Sequence, residues 1–212
     1  MNNYVITIGR ELGSGGKTIG KIMAEKFGIP IYDRSLIDMA AQESGISPEI
    51  LKQHDEASSG GLKGMALRAM AAVPFVTADS FYSNSISDEN LFNIQCRVIQ
   101  EKAEKENCII VGRCADYILR HHPRHLSIFI RADLEDRIKF FQDREIIGRE
   151  EAEKRLRSIE KKRAAYHDFY CESTWGDSRA YDICVNSSIL GKEKTADFLI
   201  QYAKEALGIE GS

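Results

Sequence analysis

Six consecutive residues, Gly13-Ser14-Gly15-Gly16-Lys17-Thr18, bring together the kinds of group that a polyphosphate needs from a polypeptide. The glycines let backbone amides converge without Cβ obstruction, the lysine supplies charge for the outer phosphates, and the threonine hydroxyl supplies a ligand for magnesium. The strand-like run Tyr4-Val5-Ile6-Thr7-Ile8 precedes this turn, and an amphipathic helix with Ile19, Ile22, Met23 and Phe27 on one face follows it. A tight strand-to-helix connection alone needs neither three glycines nor the lysine, so phosphate binding is the better reading. The spacing G-x-x-x-x-G-K-[ST] fits at Gly16-Lys17-Thr18 but puts its first glycine on Glu11. A carboxylate there repels phosphates unless it pairs with a cation such as Arg10 or helps to hold magnesium.

Further charged residues fall at the ends of predicted strands, where an open parallel sheet binds its ligands: Asp33-Arg34, Gly112-Arg113 and Arg131. Arg113 offers a bidentate fork to an acceptor phosphate, the alternative being a surface ion pair. Asp33 suits magnesium-bound water or a sugar hydroxyl, or else a helix N-cap. On the helix predicted over 149–170, Ala152, Leu156, Ile159, Arg163, Tyr166 and Tyr170 share one stripe, so Arg163 faces inward and needs an anion, either a phosphate or a structural carboxylate. Glu150 with Lys154, Glu151 with Arg155 and Glu153 with Arg157 stand four apart in the favourable order, which marks a solvated face. Trp175 suits a base or a loop anchor. Asp177 and Arg179 suit an acceptor's sugar and phosphate, or each other in a turn. The segment 137–163, carrying Arg137, Arg144 and Arg149 with Gly148 as a hinge, reads as a lid that closes over phosphates or as a static helical hairpin.

The elements that must position these groups alternate between strand and helix. Strands are predicted over 4–9, 30–32, 107–112, 126–131 and 181–186, and helices over 16–27, 34–44, 47–55, 88–106, 114–121, 133–145, 149–170 and 192–207. Runs such as Cys108-Ile109-Ile110-Val111 are continuously apolar, as buried parallel strands are. The expectation is one α/β domain over 1–212, with residues 56–87, rich in Ala, Ser, Gly and Met, forming an acceptor-side cap or a surface loop. Hydrophobic residues at 43% and charged residues at 29% are globular values and exclude a disordered chain. The net charge of −3 argues against a general nucleic-acid binder, although residues 113–163 hold 14 basic against 10 acidic side chains and so favour an anionic ligand. Apolar runs are too short to span a bilayer and the N-terminus shows no apolar leader, so a cytoplasmic location is expected. Five scattered cysteines without a C-x-x-C pair read as reduced thiols, and His121, His122 and His125 lack further ligands at metal spacing. Apolar positions over 65–82 would suit self-association into a homo-oligomer.

Taken together, GSGGKTIGKIMAEKFGIPIYDRSLI (13–37), IIVGRCADYIL (109–119), IFIRADLEDRIKFF (128–141), KKRAAYH (161–167), Trp175-Gly176-Asp177 and YDICVNSS (181–188) resemble the cytidylate kinase-like family of P-loop proteins. The resemblance covers most of the chain. It implies a P-loop kinase three-layer fold with a central five-stranded parallel sheet and a helical lid over 137–170. It also implies ATP with magnesium as donor and a nucleoside monophosphate, such as CMP, or a similar small acceptor. On that reading Gly13, Ser14, Gly15, Gly16, Lys17 and Thr18 hold ATP, with Thr18 on magnesium. Lys17, Arg113 and Arg163 act in transfer, and Asp33, Arg34, Asp177 and Arg179 join them at the acceptor. The nucleoside monophosphate kinase motif G-S-G-K-[ST] places Gly16 where its lysine stands, and the D-G-R-D of cytidylate kinases reads Val111-Gly112-Arg113-Cys114, with Asp116 nearby as a stand-in. A kinase for another metabolite, or a nucleotide-binding regulator without catalysis, are the alternatives.

Overall fold

The computed structural model describes residues 3–33 and 88–209; Arg34, the helices expected over 34–44 and 47–55, and the segment 56–87 lie outside the described residues. The chain divides into two compact units, Met1–Arg34 with Ile99–Ser212, and Ser35–Val98. The groups discussed below belong to the first.

Strands β1 (Val5–Arg10), β2 (Ile31–Tyr32), β3 (Cys108–Val111), β4 (His125–Arg131) and β5 (Ile183–Asn186) form one sheet in the order β2-β3-β1-β4-β5. Every pairing is parallel, with Val5 opposite both Cys108 and His125. The central strand β1 is buried from Val5 to Gly9, which is why its sequence lacks polar alternation. Thr7 is the polar exception within it, and its partner is His125, the first residue of β4. They satisfy one another at 2.7 Å, and burial, against the pull of Asp182, drives His125 down to about 4, so its ring is neutral.

One sheet face is covered by α1 (Gly16–Phe27) and α6 (Ser187–Leu207). Between sheet and helices lies a core of Ile6, Ile8, Ile19, Met23, Ile109, Ile128, Ile130, Ala196 and Leu199. Each fully buried isoleucine contributes roughly 1.5–3 kcal/mol. The remaining described helices are α2 (Asp88–Lys105), α3 (Ala115–Ile118), α4 (Leu134–Glu145) and α5 (Arg149–Tyr170). Helix α3 is shorter than the 114–121 expected, because Cys114 is left-handed (φ 55°) and cannot serve as its first turn. The strand expected from 181 starts at Ile183, since Tyr181 instead lays its ring on Phe129, 4.9 Å between centroids. Helix α6 begins five residues earlier than expected but is broken at Gly191 (φ 74°, ψ 172°), so its regular part starts where the apolar periodicity does. Among the described residues no helix is long and apolar enough to cross a membrane, and no group of three or more side chains forms a metal site.

Candidate functional site

The glycine turn leaves β1 at its carboxyl end and enters α1 through two left-handed residues, Gly13 (φ 83°) and Gly15 (φ 76°). A Cβ on Gly13 would stand 3.0 Å from the Arg137 backbone, so this position is closed to larger residues on steric grounds as well. Ser14 is buried; its hydroxyl donates to the Glu11 carbonyl at 3.0 Å, and its own carbonyl accepts from the Ser187 hydroxyl at 2.7 Å. The first α-helical bond of the segment runs from the Ile19 amide to the Gly15 carbonyl. The amides of Gly16, Lys17 and Thr18 therefore point out of the helix start without intrahelical partners, and no carboxylate stands in the first turn to occupy them.

Glu11 does not face this nest. Its cation is not Arg10: Glu11 Oε2 lies 2.6 Å from Arg137 Nη1 and accepts the Ala132 amide at 3.0 Å. The other arm of Arg137 reaches Glu160 at 2.7 Å, and Glu160 accepts the Leu12 amide at 3.3 Å. With its side chain 6% exposed, Arg137 is a buried tie between the turn, α4 and α5 and not a lid arginine. Burial raises the Glu160 carboxyl and neighbouring Glu11 adds to this, while Arg137 opposes both.

Lys17 extends from the first turn of α1 to the end of β2, where its Nζ is 2.5 Å from Asp33 Oδ2. Thr18, beside it, is exposed. The decisive gathering lies one strand further. Arg10, the last residue of β1, lays its guanidinium over Gly112 at the end of β3, where any Cβ would collide with it. Arg163 donates to the Arg10 carbonyl at 3.5 Å, and Arg113 (φ 62°) follows Gly112 directly. Burial, then Arg163 and Arg113, push Arg10 down to about 9, with Asp33 pulling the other way. Arg163 is likewise lowered by burial and by Arg113, against Glu160. Among the described residues no carboxylate stands within ion-pair range of Arg10 or Arg163. Buried guanidiniums with no carboxylate beside them favour an anionic ligand. Arg10, offered by the sequence reading only as a counter-ion for Glu11, is by its position a candidate site residue. Its signal was an arginine closing an otherwise apolar central strand.

The predicted inward stripe of α5 holds at Ala152 and Leu156, both fully buried, and then runs to His167 instead of Tyr170. On the outer face Glu151–Arg155 and Glu153–Arg157 close at 2.6 and 2.7 Å. Asp116 is engaged by His167 Nε2 at 3.2 Å. Asp177 and Arg179 are placed on each other at 2.6 Å, with Asp177 also capping the short helix Ser178–Ala180 and Arg179 89% exposed. Trp175 sets its ring edge-on against Phe129, 5.5 Å between centroids, and together with Arg131 and Glu11 lines a cleft of about 390 Å³.

A family model described as cytidylate kinase-like matches residues 5–189. The chain is similar to the crystal structure of an uncharacterized protein from Eubacterium ventriosum, with 31% identity and a TM-score of 0.70 over 95% of this chain and 99% of that one. It also shares its fold with the shikimate kinases of Bacteroides thetaiotaomicron (14% identity, TM-score 0.55, 97% and 99% covered) and Acinetobacter baumannii (13%, 0.53, 96% and 94%). A search of curated protein sequences returns no match. The five-stranded parallel sheet with its flanking helices is thus the P-loop kinase fold.

Proposed function

From the premise that the chain belongs to the cytidylate kinase-like family, we propose that it transfers the γ-phosphoryl group of ATP, with magnesium, to a small acceptor that itself bears a phosphate, a nucleoside monophosphate such as CMP. The observation that carries this reading is the meeting of Arg10, Arg113 and Arg163 beside the glycine turn. Arg10 and Arg163 have no carboxylate in ion-pair range among the described residues, so a neutral acceptor gives these two guanidiniums nothing to neutralise, whereas a phosphate dianion satisfies them with charge-assisted forks.

The nest of Gly13 to Thr18 receives the donor phosphates, and Lys17 neutralises the outermost. Its pair with Asp33 is no obstacle, because the lysine side chain is 62% exposed and such pairs contribute only about 0–1 kcal/mol. The exposed Thr18 hydroxyl and the Asp33 carboxylate are oxygen ligands of the kind magnesium takes, so the residues present fit that ion. Held by the Thr18 hydroxyl and the Asp33 carboxylate, magnesium would supply charge neutralisation for the donor phosphates there. Arg113 and Arg163 fix the acceptor phosphate so that one of its oxygens attacks the γ-phosphorus while the bond to the ADP oxygen breaks. Positioning and charge neutralisation are most of what such a transfer requires.

One observation favours a second reading, a nucleotide-binding regulator: Val111, 2% exposed, and Cys114 flank Gly112-Arg113 where cytidylate kinases have carboxylates. One assay separates the two, with the full chain, ATP and magnesium set against a panel of nucleoside monophosphates and uncharged metabolites, reading ADP release. Turnover with CMP or another monophosphate supports the proposal. Turnover only with uncharged acceptors overturns it, and ATP binding without turnover supports the regulator.

A further inference from the structure

On the nucleoside monophosphate kinase pattern Gly16 stands where the lysine does, and the turn's own lysine follows one residue later, at Lys17. A second lysine approaches the nest from the opposite side to Lys17. A Cβ on Gly15 would stand 3.0 Å from both Cγ and Cε of Lys192, so the aliphatic stem of Lys192 lies flat along the backbone of the nest. Its Nζ lies 5.5 Å from the centre of the Phe140 ring, and no carboxylate among the described residues pairs with it.

The placement is built by the fold. Gly191, in a conformation no helix permits, breaks α6 and turns the chain so that Lys192 faces back over the turn. The segment before the break is clamped: the Ser187 hydroxyl reaches the carbonyls of Ser14 at 2.7 Å and Arg131 at 3.2 Å, which binds the start of α6 to the nest itself. Lys192 is thus carried by the same rigid piece that carries the phosphate-binding amides. Lys17 serves the β2 side, where the acceptor arginines gather, and Lys192 serves the β5 side.

We propose that Lys192 is a donor-phosphate ligand. It leaves the Phe140 ring and contacts the two phosphates of ATP that are not transferred. This rests on the reading of the glycine turn as the ATP site. A cation over a half-buried ring is held by roughly 1 kcal/mol, less than a charge-assisted bond to a phosphate oxygen supplies, so the two are readily exchanged. Because the contacted phosphates are those retained in ADP, the residue governs ADP and ATP alike.

Calorimetric titration of the full chain with ATP, ADP and AMP, each with magnesium, tests the assignment on wild type, Lys192→Met and Lys192→Arg. The methionine variant is expected to bind ATP and ADP about 10- to 30-fold more weakly, with a clearly smaller loss for AMP, which keeps one of the two contacted phosphates, and with arginine restoring most of the loss. Wild-type affinity for ADP in the methionine variant, or an equal loss for AMP, overturns the role of Lys192 alone. Failure of wild type to bind either ATP or ADP overturns the reading of the turn and the inference with it. If the methionine variant loses its thermal transition, Lys192→Gln provides the same comparison.

Discussion

Arg10 and Arg137 both lie beside the glycine turn, yet they do opposite things. Arg137 has two carboxylates in contact, Glu11 at 2.6 Å and Glu160 at 2.7 Å, and is almost wholly buried. Replacing it with methionine strands two negative charges in a poorly solvated place, which costs about 3 kcal/mol or more. A chain of this size should then melt roughly 6–12 °C lower, read by calorimetry; an unchanged melting temperature would show that the tie is idle. Among the described residues Arg10 has no such partners, so Arg10→Ala is expected to spare stability. It should raise the acceptor KM about tenfold or more with CMP as acceptor, leaving the KM for ATP nearly unchanged. Gly112→Ala should mimic it, since the new Cβ displaces the Arg10 guanidinium. Equal damage to the ATP KM would place Arg10 on the donor instead. Neither assignment was readable from spacing, because Glu11, Arg137 and Glu160 meet across 126 and 23 residues of chain. A carboxylate in a phosphate turn raised the right question, but the cation answering it is not the adjacent one.

At the level of elements, α3 and α5 are joined by a buried cluster that the apolar stripe of α5 did not foretell. His167, 4% exposed, sets its two ring nitrogens 3.2 Å from Asp116 and 3.3 Å from Asp168. Two carboxylate acceptors require two N–H donors, so the ring is the imidazolium. Burial works against the charge, but hydrogen bonds that the ring donates to Asp116 and Cys171 prevail and hold His167 up at about 10. Cys171 is drawn down to about 6, first by its hydrogen bond with Cys114 and then, against burial, by His167. The histidine, raised above its ordinary 6.5, stabilises the fold fully below that pH and loses its effect as pH climbs through 10. The thiol, lowered from 9.0, stabilises fully above that pH and loses its effect as pH falls through 6. Between about pH 6.5 and 9 the two proton balances cancel, so stability from this cluster is level there and declines on both sides. Thermal melts from pH 5 to 10.5 should show His167→Gln without the alkaline decline and Cys171→Ser with a weakened acid one. A His167→Gln profile parallel to wild type at high pH would refute the imidazolium. Element boundaries were legible where they rest on apolar period, as in α1 and α5, whose spans match expectation. They slipped where a left-handed residue intervenes, at Cys114 and Gly191.

Across the whole molecule, the order β2-β3-β1-β4-β5 puts the glycine turn at the centre of the sheet's carboxyl edge. Arg113 then stands at the end of one neighbouring strand and Arg131 at the end of the other. Apolar strand runs and a strand-glycine-helix sequence carry nearly all of that information, which is why the fold was legible and the partners of individual charges were not. The excess of basic residues over 113–163 is similarly resolved: Arg155 and Arg157 are paired outward, Arg137 is paired inward, and Arg113 and Arg163 lie beside Arg10. What unites these scales is the proposed seat for a polyphosphate on the amides that open α1. A crystal of the chain grown with a non-hydrolysable ATP analogue and magnesium measures this directly. The account predicts triphosphate oxygens within hydrogen-bonding distance of the backbone amides between Gly13 and Thr18, with Glu11 still on Arg137. An analogue bound elsewhere, or a Glu11 carboxylate turned into the nest, would contradict it.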